Sequence, residues 1–136
     1  MKTLRVLSDM EEIDRIRSFL RENLGGLNIS ESDYYQIEVS LLEVCINIIQ
    51  YAYPQDKGEI FLKSWQKGGR IYFEIRDSGV PFDPRKIEKP DINESIKNGK
   101  VGGFGILLSR EFMDGFDYKR ENNQNVVTIY RKLKEV

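Results

Sequence analysis

The stretch from Ser30 to Tyr53 constrains the fold more than any other part of the chain. Ile37, Leu41, Val44, Cys45, Ile48 and Ile49 recur there at helical spacing, so they share one face of an α-helix. Ser30 and Asp33 supply an N-terminal cap, and Pro54 stops the run just after Tyr53. A face this apolar needs a second layer to cover it. The rest of the sequence supplies strands: Thr3 to Leu7 alternates, and Glu59 to Gln66 and Arg70 to Arg76 join through Lys67-Gly68-Gly69. Phe116 to Glu121 and Val126 to Leu133 form a further hairpin across Asn122 to Asn125. Another amphipathic helix, opened by Asp9 and Glu12 as a capping box and closed by Gly25-Gly26, buries Ile13, Ile16, Leu20 and Leu24. A short helix is expected from about Ile106 to Met113. The sum is an α+β protein, a two-layer sandwich with helices on one face of a mainly antiparallel mixed sheet.

Composition removes several classes of function. The 136 residues suit a single domain spanning 1–136, and 21 Lys plus Arg against 22 Asp plus Glu leave a net charge of -1, a poor match to a phosphate backbone. Direct nucleic-acid binding is therefore not expected. The N-terminal MKTLRVLSDMEEIDR is interrupted by acids, and no segment approaches the ~20 apolar residues of a membrane span, so a cytoplasmic protein without a membrane partner is expected. Histidine is absent, which excludes a Ser-His-Asp triad, a His-bound zinc and a phospho-accepting histidine on this chain. Cys45, between Val44 and Ile46, reads as a small core residue rather than a nucleophile. Chemistry must rest on carboxylates, amides and backbone N–H groups, with or without a metal.

Three constellations could carry such chemistry. Glu43, Asn47 and Tyr51 lie at i, i+4 and i+8 in an apolar section of helix, where a carboxylate and an amide need partners that a metal or ligand can provide; a solvated helix edge is the plainer alternative. Asp77-Ser78-Gly79-Val80-Pro81-Phe82-Asp83 follows the strand IYFEIR, putting a carboxylate at a strand end and a glycine where backbone can approach a ligand, although Asp-Ser-Gly is also an ordinary turn. Gly102-Gly103-Phe104-Gly105 precedes a helix and could face a phosphate, or be only a loop. There is no GxxxxGK[ST], and Leu108 breaks a GxGxxG. The polar stretch from Phe82 to Val101 is long for so small a domain.

Taken in order, helical E-x-x-x-N, strand-D-x-G-x-P-F-D, an irregular segment and GGFG before a helix, the chain resembles the GHKL or Bergerat-fold ATPases over about residues 30 to 133. LLEVCINIIQYAYP, IRDSGVPFDP, GGFGILLSREFMDGFDY and VVTIYRKL are most similar to the short anti-sigma-factor serine kinases of bacterial sporulation and stress switches. The resemblance implies ATP with Mg²⁺: Asn47 would offer its amide oxygen to the ion, and Glu43 would be the base. Asp77 would accept from the adenine amino group, Gly79 would keep the pocket floor thin, and Phe82 would line it. Gly103 and Gly105 would line the phosphates, and the segment from about 82 to 102 would close as a lid. Lys100 would add a positive charge there, or remain solvated as exposed lysines usually do.

It also implies a sigma factor and a small anti-sigma-factor antagonist as partners, with a homodimer left open. Leu4, Val6 and Leu7 serve either such an interface or the core. The alternatives are a non-catalytic ATP-gated module and a plain α/β interaction domain. Two departures stand out: Tyr51 occupies a place where related kinases commonly have His, and Gln124-Asn125-Val126-Val127-Thr128 replaces a frequent Gly-Thr-Thr. An adenine contact through Asn125 or Thr128 is therefore open, with Thr128 better suited to a core β position.

Overall fold

A computed structural model describes residues 1–86 and 111–133. Its strands are β1 (Lys2–Leu7), β2 (Glu59–Lys67), β3 (Arg70–Asp77), β4 (Gly115–Glu121) and β5 (Gln124–Lys132), and its helices α1 (Ile13–Leu24) and α2 (Glu31–Asn47). The strands form one sheet in the order β1-β2-β3-β5-β4, with all four described pairings antiparallel. The helices cover one face. Ile60 and Leu62 of β2, Ile71, Phe73 and Ile75 of β3, and Val127 and Ile129 of β5 join Ile16, Leu20, Ile37, Leu41 and Val44 in one buried cluster. The expected two-layer α+β sandwich is therefore present; of the helix expected at 106–113, residues 106–110 lie outside the described residues and Glu111 and Phe112 are helical.

The local chemistry explains where the elements start and stop. Ser30 caps α2 through its hydroxyl, which accepts from the Asp33 N–H at 3.1 Å. Asp9 and Glu12 do not make a reciprocal box: Asp9 caps a 3₁₀ turn over Met10–Glu12 by accepting from the Glu11 N–H, while Glu12 turns instead to Arg15 at 2.6 Å. That turn delays α1 to Ile13, and Phe19 joins its buried face. Both hairpins turn on two residues with positive φ, Gly68 (61°) and Gly69 (73°) in the first, Asn122 (52°) and Asn123 (62°) in the second. The second turn is thus two residues shorter than Asn122 to Asn125, and it releases Gln124 and Asn125 into β5. Thr128 is in β5 but on the row opposite Val127 and Ile129, half-buried rather than in the core.

The expected single helix to Tyr53 also changes character. From Ile48 to Ala52 the turn widens to π geometry, and the Tyr53 N–H bonds the Ile48 carbonyl. Tyr53 is anchored beyond the helix: its hydroxyl donates to the Glu59 carbonyl (3.0 Å) and accepts from the Ser78 N–H (2.7 Å). Its ring lies against Gly58, where a Cβ would come within 2.1 Å of it. Val6 is buried in the core, whereas Leu7 is exposed. Cys45 is fully buried, and burial pushes its thiol pKa up to about 12, which fits a core role. Among the described residues no helix is long and apolar enough to cross a membrane. Phe73, fully buried at the centre of the sheet, anchors both layers; Phe73→Ala should cost about 3–5 kcal/mol in chemical denaturation.

Candidate functional site

Two of the three constellations meet at the end of α2. Asn47 is 1% exposed although it sits one turn beyond a carboxylate. Its Nδ2 donates to the Glu43 carbonyl at 2.7 Å and, more weakly, to Glu43 Oε1 at 3.3 Å. Its Oδ1 is buried and has no hydrogen-bond partner among the described residues. An acceptor already stripped of water and left unpaired costs about 1–3 kcal/mol, and a hard cation would satisfy it. The donor chemistry at Asn47 thus fits Mg²⁺. Burial raises the Glu43 carboxyl above its ordinary range, opposed by the Asn47 amide, so the group is a stronger proton acceptor than a solvated glutamate.

Asp77 ends the inward-facing row of β3 after Ile71, Phe73 and Ile75, which places a carboxylate where the apolar layer stops. It is 1% exposed, and Oδ1 accepts from the Gly79 N–H and from Asn125 Nδ2, each at 2.9 Å. Desolvation raises its pKa, while those two donors and the charge of Arg120 lower it. Gly79 lets the turn after β3 touch the π-helical end of α2: a Cβ there would stand 2.2 Å from the Ala52 carbonyl oxygen, which accepts from the Val80 N–H at 2.9 Å. Tyr51 stacks on Phe82 with ring centroids 5.1 Å apart. The helix bearing Glu43 and Asn47 is therefore tied to the Asp77 turn by a backbone bond, the Tyr53 hydroxyl and an aromatic pair.

Lys100, Gly103 and Gly105, and the lid segment beyond Lys86, lie outside the described residues. Asn125 proves to be a structural hub, facing Asp77 directly in the β3–β5 register. The Tyr118 hydroxyl donates to Asn125 Oδ1 at 2.6 Å; in the sequence Tyr53 reads as a helix end and Tyr118 as one more strand residue, so neither is legible as part of this network. A cleft of about 640 Å³ borders the same turn, lined by Tyr53, Pro54, Lys57, Ser78, Gly79 and Arg120, without Glu43, Asn47 or Asp77 in its wall.

Two outcomes follow from this geometry. Gly79→Ala should break the Ala52–Val80 contact and cost about 1–3 kcal/mol, read by thermal or urea unfolding. Glu43 and Asp77 both have folded pKa values above their unfolded ones, so the folded state holds extra protons between the two values. Their relative contribution to stability is complete below the ordinary carboxylate range and is lost as pH rises through the raised folded values. Glu43→Gln should accordingly raise the midpoint of thermal unfolding at neutral pH, with the gain vanishing in acid.

The profile of the Histidine kinase-like ATPase domain matches residues 6–131. The chain is 25% identical to proteins named serine-protein kinase RsbW from Bacillus cereus and Bacillus thuringiensis, over 98% of its own length and 86% of theirs. In fold it is similar to a Mycobacterium tuberculosis structure comprising RsbU and RsbW domains, with a TM-score of 0.66 at 14% identity, covering all of this chain and 34% of that one. The Acinetobacter baumannii histidine kinase AdeS gives 0.52 at 13% identity, over 99% of this chain and 70% of that one.

Proposed function

The chain belongs to the histidine kinase-like ATPase domain family, and from that premise we propose that it binds ATP with Mg²⁺ and acts as a serine protein kinase and anti-sigma factor. Its substrate is a small anti-sigma-factor antagonist, and the bound nucleotide selects between that protein and the sigma factor. The observation that carries the reading is the buried Asn47, with Oδ1 unpaired among the described residues, one turn from the half-buried Glu43. The names of the curated relatives point the same way.

In this mechanism Asn47 would hold the ion through Oδ1, while its Nδ2 keeps the Glu43 side chain aligned. When bound, Mg²⁺ supplies charge neutralisation across the phosphates. Glu43 takes the proton of the attacking serine hydroxyl; the serine oxygen bonds the γ-phosphorus as the bond to ADP breaks. Asp77 accepts from the adenine amino group, and Gly79 and Phe82 shape the pocket beside it. Lys100, Gly103 and Gly105 are assigned to the phosphates by their motif positions.

Labelled ATP, Mg²⁺ and candidate antagonists provide the test. Glu43→Gln should keep nucleotide binding and lose about 10²–10⁴-fold in transfer, while Asn47→Ala should lose the Mg²⁺-dependent part of binding. Nucleotide binding with no transfer to any antagonist would make the chain an ATP-gated module instead. An absence of binding would refute both.

A further inference from the structure

The Asn125 side chain uses its whole hydrogen-bonding capacity. Nδ2 donates to Asp77 Oδ1 at 2.9 Å and to the Val80 carbonyl at 2.8 Å; Oδ1 accepts from the Phe82 N–H at 3.1 Å and from the Tyr118 hydroxyl at 2.6 Å. Two of these partners are backbone groups of fixed polarity. The Phe82 N–H can only donate and the Val80 carbonyl can only accept, so the amide cannot be turned round. Asn125, 2% exposed, must therefore present an N–H to Asp77.

Asp77 Oδ1 then receives two donors, from Gly79 and Asn125. Two N–H groups on one carboxylate oxygen favour the ionised form, which accepts hydrogen bonds and donates none. Burial is the strongest influence on this carboxylate and disfavours the charge, so the donors are what hold it ionised: Arg120, whose guanidinium donates to the Gly79 carbonyl at 2.9 Å, acts with them, and the Tyr53 and Tyr118 hydroxyls border the group. An acceptor-only carboxylate suits a 6-amino purine. A protonated one would offer an O–H to the carbonyl of a 6-oxo purine.

We propose that Asn125 is the positioning residue that sets base specificity: by holding Asp77 as a hydrogen-bond acceptor, it makes the site select adenine over hypoxanthine and guanine. This rests on the ATP reading above. Asn125 makes no contact with the base, because each of its polar positions is already taken; it acts through Asp77.

Equilibrium binding of ATP and inosine triphosphate, each with Mg²⁺ at neutral pH, tests it. The unmodified chain should prefer ATP by about tenfold or more, since a mismatched polar group in a buried site is left unpaired. Asn125→Asp sets a second carboxylate against Asp77, so that the pair shares a proton, and the preference should fall about tenfold toward parity. Asn125→Leu, which carries no donor, should narrow it in the same direction should the charged variant fail to fold. Asn125→Thr restores a hydroxyl donor and should recover the preference even at lower affinity. Loss of affinity for both nucleotides by one common factor in the Asp and Leu variants would overturn the inference and leave the ATP reading intact. Binding of neither nucleotide by the unmodified chain would overturn both.

Discussion

The hydrogen bond from the Val80 N–H to the Ala52 carbonyl is the contact on which the candidate site depends. It joins the end of the helix that carries Glu43 and Asn47 to the turn that carries Asp77, and it forms only because residue 79 has no side chain to fill the 2.2 Å approach. The helix must also offer that carbonyl. Its final turn takes π geometry and ends at Ala52, whose carbonyl is left open by the helix end, while Tyr53 crosses to Glu59 and Ser78. A local irregularity and a glycine are therefore the two halves of one joint.

Around that joint, polar groups are buried where the apolar layers run out. Asp77 and Asn125 occupy the last inward positions of neighbouring strands, and each satisfies the other. Asn47 is different: half of its amide is bonded to Glu43 and half has no partner among the described residues. A fold tolerates such a group when something else completes it. The two amides thus differ in kind: every polar position of Asn125 is bonded within the protein, whereas the Asn47 acceptor is left open among the described residues.

Much of this was legible in the chain itself. The helical spacing of Ile37, Leu41, Val44 and Ile48, the glycine turn at 68 and 69, and the order of the acidic, amide and glycine motifs led to the layers and to Glu43, Asn47, Asp77 and Gly79. What could not be read was non-local. Asn125 lies opposite Asp77 through a pairing 48 residues apart in sequence, and no periodicity within either strand reports the register between them. The Asn122-Asn123 turn was missed as a two-residue hairpin because neither position is glycine, although asparagine tolerates positive φ. Tyr53 was hidden for a related reason, since its partners lie on two other segments.

Arg131 gives this long-range wiring a temporal meaning. It reaches back 98 residues to pair with Asp33 in the first turn of α2, and it also donates to the Phe112 carbonyl. β5 meanwhile slots between β3 and β4. Contacts this distant pay their loop-closure entropy before they return any stabilisation, so they form late and slow the whole process. On a ribosome, α1, α2 and the β2–β3 hairpin can emerge well before β5 exists. Until β5 has been made, the helix carrying Glu43 and Asn47 would stand without the strand whose Asn125 grips Asp77.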